Sequence, residues 1–456
     1  MSEENEKILF ELSDELISQV EQLIVEKNDK ELHHLLDDFH YADIAEILDE
    51  LDLEDAIYII KLLDSETTSD ILTELDEDIR EKVLKNLSAK EIAEEIEELD
   101  TDDAADMIAE LPEDRQKAVI SQIEDEEHKA EIQELLAYDE DTAGGLMAKE
   151  LVKVYETWTV AGCMRRIRGQ AKDVTRVHSI YVVNKEEKLI GRLSLKDLIT
   201  AKSEQKIAEI SNANVDSVNV NDDVEDVAKV MQKYDLEAIP VVDDNQVLLG
   251  RITIDDIVDV MKEEAEKDYQ LAAGITSDVE HDDSIFQLTR ARLPWLFLGL
   301  LGGVGAFLIM EGFQESFSKY AVLFFFTPLI AAMAGNVGVQ SSAIIVQGLA
   351  NDDVKGSINS RLLKEMFLAA LNGFILAIFL FLFVWATKGD MNTALAISIS
   401  LVAVIIVAGL IGTFVPLFLD KRGIDPAIAT GPFITTSNDI FGILIYFWIA
   451  KMILGI

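Results

Sequence analysis

The chain has 456 residues, enough for more than one domain, and its 85 acidic and 39 basic residues give a formal net charge of −46 at pH 7. All of that net charge lies before residue 291, so the front of the chain disfavours nucleic acid and anionic lipid as partners and favours cations or basic proteins. A single cysteine, Cys163, excludes an intrachain disulfide and a metal site built from several thiolates of one chain.

Residues 1–145 are predicted to form an acidic all-α domain. The stretch ADIAEILDELDLEDAIYIIKLLD at 42–64 recurs 48 residues later as KEIAEEIEELDTDDAADMIAELP at 90–112, and both copies place apolar residues at helical spacing. Stacked repeats of this kind form a superhelix with one buried face. The opening residues lack the basic segment and apolar core of a signal peptide, so we expect the front to stay in the cytosol.

Residues 146–260 change to a pattern of alternating strands that is repeated once. The run IYVVNKEEKLIGRLSLKDLI at 180–199 matches IPVVDDNQVLLGRITIDDIV at 239–258, with two strands, a glycine and a Ser/Thr-x-x-Asp helix start in each. Two such copies resemble a tandem pair of CBS domains, an α/β module.

The Ser/Thr-x-x-Asp segments of this pair carry two interpretations. In CBS pairs that bind adenine nucleotides, the motif meets phosphate and ribose, which by resemblance would involve Ser194, Asp197, Thr253 and Asp256. The same residues also fit the capping of their own helices. We favour capping, because Ser179 and Leu236 stand where an aromatic platform for the base is expected.

The last part of the chain is predicted to join the soluble front to a membrane domain. A strongly charged helix, DVMKEEAEKD at 259–268, continues out of the second module into a connecting segment over residues 261–290 that we interpret as a plug helix. Within residues 291–456 five apolar runs are each near or above the roughly 18–20 residues that cross a bilayer. They cover about 293–310, 320–349, 366–387, 394–419 and 431–455.

Basic residues between these runs predict an orientation in the cytoplasmic membrane. With a cytosolic front, the cytosolic flanks carry seven basic residues and the external flanks only Lys319, Lys388 and Lys451. The excess of positive charge inside predicts a cytosolic N-terminus and an external C-terminus.

Polar residues within the apolar runs concentrate in the second and fifth. The fifth contains Asp439, and a carboxylate in hydrocarbon is a functional hypothesis by default. The second contains Asn336 and Gln340, which are four residues apart on one helical face and could instead join helices by hydrogen bonds. The predicted pore-lining residues are Gly335, Asn336, Gln340, Gly431, Pro432, Thr435, Thr436 and Gly442.

These segments, PLIAAMAGNVGVQSS and IDPAIATGPFITTSNDIFG, behind an acidic repeat domain and a CBS pair, closely resemble the MgtE family of magnesium channels and transporters. The resemblance implies a homodimer in membrane lipid, with a pore lined by the second and fifth helices and Mg²⁺ bound by Asp439. It leaves open whether ATP binds the CBS pair.

The resemblance also implies that cytosolic Mg²⁺ closes the pore by bridging the helical domain, the CBS pair and the connecting helix. The positions that match the family's ligand pattern are Asp102, Asp106, Asp223, Glu225, Asp235, Asp256, Asp259, Glu264 and Asp268.

Two alternative functions remain open from the sequence. One is a broader divalent carrier that also moves Co²⁺, Ni²⁺ or Mn²⁺, and the other is a membrane-anchored sensor that conducts nothing. We find no nucleophile with a neighbouring base, no Walker loop and no thiolate site in the sequence, so we expect no enzyme activity.

Overall fold

The computed structural model describes residues 12–171, 174, 176–276, 279, 283–350, 357–429 and 431–456. It comprises two compact units, Met1–Met261 and Lys262–Ile456.

The first part of the front unit is a series of short helices. Alternate members pack on one another, α3 on α5, α5 on α7 and α7 on α9, which confirms the predicted stacking of repeats. The helices are α1 (Asp14–Glu26), α2 (Asp29–Leu36), α3 (Tyr41–Asp49), α4 (Leu53–Ile60), α5 (Ser65–Glu74), α6 (Glu77–Asn86), α7 (Ala89–Ile96), α8 (Thr101–Ala109), α9 (Glu113–Ile120) and α10 (Glu126–Leu135).

Side-chain caps and apolar faces explain why these segments are helices. Ser88 accepts a hydrogen bond from the backbone of Glu91 while the Glu91 carboxylate accepts from Ser88, a complete capping box before α7. Isoleucine and leucine residues at helical spacing then fill the core, as Ile92 and Ile96 do in α7. The sequence repeat at 42–64 and 90–112 corresponds to the pairs α3–α4 and α7–α8.

The CBS pair follows as two copies of a three-stranded sheet. In each, two parallel strands and one antiparallel strand lie in chain order. The elements are β1 (Val152–Tyr155), α11 (Val160–Gln170), β2 (Ile180–Val183), β3 (Leu189–Leu193), α12 (Leu195–Thr200) and α13 (Ile207–Ile210), then β4 (Val218–Asn219), α14 (Val224–Tyr234), β5 (Ala238–Val242), β6 (Leu248–Thr253) and α15 (Ile254–Ala273).

The two hairpins have the same register, as the sequence repeat predicts. Ile180 pairs with Leu193 in the first hairpin, and Ile239 pairs with Ile252 in the second. α15 occupies the position in the second copy that the short α12 has in the first, and it is 20 residues long. It contains the charged stretch predicted to be helical. Its first eight residues belong to the front unit and the rest to the second unit.

Five helices of the second unit are long and apolar enough to cross a membrane, which confirms the predicted number. Two of them begin about eight residues before the apolar runs that predicted them, because hydropathy marks the segment in hydrocarbon and not the whole helix. They are α16 (Ile285–Phe313), α17 (Val322–Ala350), α18 (Ile358–Lys388), α19 (Met391–Asp420) and α20 (Gly431–Leu454).

α19 is the central helix of this unit, packing on α17, α18 and α20. A Cβ on Gly412 of α19 would overlap the carbonyl oxygen of Gly338 in α17, so the two backbones touch. Tyr446 is fully buried and donates from its hydroxyl to the Leu323 carbonyl over 2.9 Å, joining α20 to α17.

Candidate metal and permeation sites

An acidic cluster forms where α8 meets the CBS pair. Single carboxylate oxygens of Asp100, Asp102 and Glu150 lie within 4.8 Å of one another, a spacing that could hold one cation. Asp103, Asp106 and Asp256 adjoin this group, because each raises the pKa of at least one other member. We call these six residues the acidic cluster.

Thr101 fixes the geometry of the cluster. It is buried at the start of α8, and its hydroxyl donates to Glu150 over 2.8 Å while its backbone N–H donates to the same oxygen over 3.2 Å. On the other side of Glu150, Arg251 donates to the Glu150 carbonyl over 2.6 Å and lies 3.6 Å from the Asp100 carboxylate. Arg80 also lies close enough to lower the pKa of Asp106, but the six carboxylates outnumber the cationic side chains beside them in the described part of the chain.

The electrostatic cost of the cluster appears in its pKa values. Desolvation, followed by Glu150, raises the pKa of Asp100 to about 6, although Arg251 opposes the shift. Desolvation and then Asp256 raise the pKa of Asp103 to about 7, and desolvation and then Glu110 raise that of Asp106 to about 7. Desolvation, Asp103 and Asp256 together raise the pKa of Asp102 well above its usual range. A bound cation would relieve this repulsion.

Of the predicted regulatory residues, the structure brings Asp102, Asp106 and Asp256 together. Asp259 lies elsewhere, near Glu74 of α5, whose pKa is raised by burial and then by Asp259. Asp100, Asp103 and Glu150 were missed. Asp100 and Glu150 are 50 positions apart, and the contact between α8 and the chain ahead of β1 is not visible in the sequence.

The remaining regulatory candidates have local contacts. Asp223 caps α14 by accepting from the Glu225 N–H over 2.9 Å, and Asp235 ends that helix in a left-handed conformation with φ 49°. Glu225 pairs with Lys229 over 3.3 Å, and Glu264 pairs with Lys267 over 2.9 Å. Asp268 lies in α15. None of these residues joins a group of three potential ligands within the described ranges.

The nucleotide candidates make the contacts expected of helix caps. The Ser194 hydroxyl accepts from the Asp197 N–H over 3.0 Å, and the Thr253 hydroxyl donates to Asp256 over 2.6 Å. A separate small cavity of about 10 Å³ has cationic side chains in its lining, those of Arg176, Arg251 and, when protonated, His178. The Tyr181 hydroxyl also lines it and has no hydrogen-bond partner within the described ranges.

In the membrane unit, α17 and α20 meet through small residues. A Cβ on Gly335 would lie 3.5 Å from Thr435, and one on Gly338 would overlap the side chain of Asn438. Asn438 is fully buried and donates to the Ala334 carbonyl over 3.2 Å. The Gly335–Thr435 and Gly338–Asn438 contacts set the spacing of the two helices.

The predicted pore residues lie beside this contact. Asp439 is half-buried in α20, and Asn336 and Gln340 are exposed on α17. Gly442 is buried against Ala334, where a Cβ would be 3.2 Å away.

Other pore candidates pack on neighbouring elements. Thr435 donates to the carbonyls of Gly431 and Pro432, each over 3.1 Å. Its hydroxyl hydrogen bonds therefore stay within α20. Thr436 packs on Gly302 of α16.

The start of α20 touches the end of α15. A Cβ on Gly431 would overlap the carbonyl oxygen of Ala272, and a Cβ on Gly274 would overlap Pro432. Gly274 has φ 85°, a conformation that suits glycine after the last turn of a helix. The connecting helix therefore abuts the helix that carries Asp439.

Glu365 of α18, a carboxylate that contacts neighbouring membrane helices, was not among the candidates from the sequence. Its side chain accepts from the Ser341 hydroxyl of α17 over 2.6 Å, and a Cβ on Gly409 of α19 would lie 2.9 Å from it. Glu365 therefore joins α17 to α18 across a glycine of α19. Glu365 lies one residue before the third apolar run, so hydropathy alone does not distinguish it from a residue flanking the membrane.

Family models match the helical front, the CBS pair and most of the membrane helices. Residues 39–141 match the MgtE intracellular N domain, 143–204 and 207–263 match CBS domains, and 327–449 match MgtE, described as a divalent cation transporter. A magnesium transporter MgtE of Enterococcus faecalis is 38% identical over 70% of this chain and 71% of its own. A magnesium transporter MgtE of Thermus thermophilus is 36% identical over 71% of this chain and 72% of its own.

A solved structure supports the same relationship for the front unit. The cytosolic domain of the Mg²⁺ channel MgtE in complex with ATP is 34% identical, has a TM-score of 0.51, and matches 54% of this chain and 99% of its own. With five helices able to cross a membrane, this multi-pass membrane protein belongs to the MgtE family of magnesium transporters.

Proposed function

We propose that the protein moves Mg²⁺ into the cell through a channel-like path across the cytoplasmic membrane. The observation that carries the proposal is Asp439, a carboxylate about 13 Å along an apolar helix, beside the glycine contacts that bring α17 close. The relatives are magnesium transporters, which supports Mg²⁺ as the substrate.

The chemistry of Mg²⁺ fits a site with few charged ligands. Mg²⁺ keeps several waters and prefers octahedral oxygen ligands, so a path needs few direct charges and a supply of amide or hydroxyl oxygens. Asn336 and Gln340 are exposed on α17 and offer such oxygens. In a homodimer with its twofold axis along the path, two copies of Asp439 would face one hydrated ion.

The acidic cluster is the proposed sensor that closes this path. Its carboxylates repel one another when ionised, and a divalent cation turns that repulsion into attraction between α8 and the CBS pair. Asp223, Glu225, Asp235, Asp259, Glu264 and Asp268 are retained as further regulatory ligands. The contacts of Ala272 and Gly274 with the start of α20 would pass the change to the helix that bears Asp439.

ATP binding at the CBS pair is a further part of the proposal. A related cytosolic domain has been solved with ATP, and Arg176, Arg251 and a protonated His178 supply positive charge for phosphates in an otherwise acidic unit. Ser194, Asp197, Thr253 and Asp256 remain the candidates from the sequence, and their capping contacts would have to accommodate the ligand.

The orientation with a cytosolic N-terminus and an external C-terminus follows from the distribution of basic residues between the helices. The domain boundaries at residues 145, 260 and 290 also stay predictions.

A broader divalent carrier is the second candidate function, because the family description names divalent cations in general.

The test is Mg²⁺ flux into proteoliposomes that contain the purified full-length protein. Asp439→Asn should lower the flux at least tenfold, because it removes the only acidic residue within α20. Glu311→Gln, which removes an exposed carboxylate from the end of α16, should leave the flux unchanged. Equal flux in wild type and Asp439→Asn would remove Asp439 from the path. Competition by Co²⁺, Ni²⁺ and Mn²⁺ separates the two candidates.

A further inference from the structure

A groove of about 580 Å³ lies between the second half of α15 and the first turns of α16. Its apolar lining includes the partly buried side chains of Ile275, Val279 and Leu288. Its charged lining consists of Lys262 and Glu266 from α15 and Arg292 from α16, all exposed. All of these residues belong to the second unit.

Hydrogen bonds hold the groove in shape. The Gln270 side chain donates to the Val279 carbonyl over 3.1 Å and accepts from the Val279 N–H over 3.2 Å. Thr276 binds the Ala291 carbonyl through both its N–H and its hydroxyl, over 3.1 and 2.9 Å. Val279 is thus bonded to α15, and Thr276 is bonded to α16.

The length of α16 and the position of its basic residues point to the lipid-headgroup layer as the level of the groove. α16 has 29 residues and is about 44 Å long, whereas the hydrocarbon core of a bilayer is roughly 30 Å thick. Arg290 and Arg292 lie just before the apolar run, so the excess length at this end lies in the headgroup layer. Ile285 and Phe286 are 85% and 78% exposed there, which suits contact with lipid better than contact with water.

The charges of the groove match a zwitterionic headgroup. Lys262 and Arg292 form no ion pair with any described residue, and neither does Glu266, although Lys262 and Glu266 are four residues apart on one helix. Two cations suit a phosphate, and one carboxylate suits an ammonium group that can donate hydrogen bonds. The acidic residues of the front disfavour anionic lipids in general. The Glu266 carboxylate disfavours them within the groove as well.

We propose that this groove binds a phospholipid with a primary ammonium headgroup, such as phosphatidylethanolamine, and so attaches the connecting helix to the membrane. Its phosphate lies against Arg292 and Lys262, its ammonium donates to Glu266, and its glycerol and upper acyl chain cover Ile275, Val279 and Leu288. The groove lining contains none of the residues proposed for the ion path or for the acidic cluster.

Lipid binding to the full-length protein in neutral detergent tests the proposal. Delipidated protein is titrated with phosphatidylethanolamine, phosphatidylcholine or phosphatidylglycerol of identical acyl chains, and native mass spectrometry counts the bound lipid. Wild type should prefer phosphatidylethanolamine. Arg292→Gln should weaken its binding roughly fivefold, the effect of one basic residue at a membrane surface. Glu266→Gln should remove the preference over phosphatidylcholine, whose quaternary ammonium cannot donate.

Two further variants provide controls. Arg290→Gln removes a charge from the same helix outside the groove lining and should bind like wild type. Ala265→Trp fills the groove from an exposed position without changing charge and should weaken binding of all three lipids at this site. Equal binding of the three headgroups to wild type, or equal loss in Arg290→Gln and Arg292→Gln, would overturn the proposal. Binding of soluble phosphoethanolamine as tightly as the whole lipid would also overturn it, in favour of a water-soluble ligand.

Discussion

At the scale of single residues, the structure changes the basis for choosing regulatory ligands. Asp102, Asp106 and Asp256 could be named from the sequence only because they match a family pattern, since most carboxylates of so acidic a chain are solvated. The half-buried positions of Asp102 and Asp256 and the presence of Asp100, Asp103 and Glu150 depend on a tertiary contact. Sequence spacing carries no information on that contact, which explains why half of the cluster was missed.

The raised pKa values of the cluster predict how the stability of the front unit depends on pH. Asp100, Asp103 and Asp106 have pKa values of about 6, 7 and 7, above the ordinary 3.8. The folded state therefore binds protons more tightly than the unfolded state. The resulting stabilisation is full below about pH 4 and is lost as pH rises through 6 and 7.

Calorimetry of the full-length protein in detergent measures this effect. Without divalent cations, the unfolding midpoint of the front unit should fall by on the order of 5 °C between pH 5 and pH 8, after allowance for solvent screening. Saturating Mg²⁺ should reduce the slope, leaving the contribution of groups outside the cluster such as Glu95, whose pKa is about 7. A midpoint that rises with pH over this range, or a slope unchanged by Mg²⁺, would contradict this account of the cluster.

At the scale of secondary-structure elements, periodicity predicted most of the architecture. The repeat at 42–64 and 90–112 gave the pairs α3–α4 and α7–α8, and the repeat of strand–strand–helix gave both hairpins in register. Local pattern suffices for such elements because each copy buries the same face. The pairing of membrane helices could not be predicted, since apolar runs show little preference for one neighbour over another.

The hydrogen bond between α17 and α18 allows a matched test at this scale. Ser341→Ala removes the donor to Glu365 and should destabilise the membrane unit by about 1 kcal/mol, a fall of roughly 2–4 °C in its unfolding midpoint in detergent. Ser342 is fully buried, and its hydroxyl has no hydrogen-bond partner in the part of the chain that the structure describes. Ser342→Ala should therefore leave the midpoint unchanged or raise it. Equal losses in the two variants would show that the bond to Glu365 does not stabilise the helix pair.

At the scale of the whole molecule, the acidic front and the membrane unit share one helix. α15 begins in the CBS pair with Asp255 and Asp256 in its first turn and ends at Ala272 and Ala273, next to the start of α20. A cation bound near the beginning of that helix would act on an element that touches the Asp439 helix at its other end. Closing the path from about 1:99 to 99:1 needs roughly 5.5 kcal/mol of differential binding, so we expect several cations to cooperate.

The most direct test of this account is Mg²⁺ flux through protein reconstituted in one orientation, with the Mg²⁺ concentration varied on the side of the front unit. Flux through wild type should fall as that concentration rises. Asp114→Asn, which removes an exposed carboxylate from α9, should behave like wild type, whereas Asp102→Asn combined with Asp256→Asn should stay open to higher Mg²⁺. If the double variant closes at the same Mg²⁺ concentration as wild type, the acidic cluster is not the sensor.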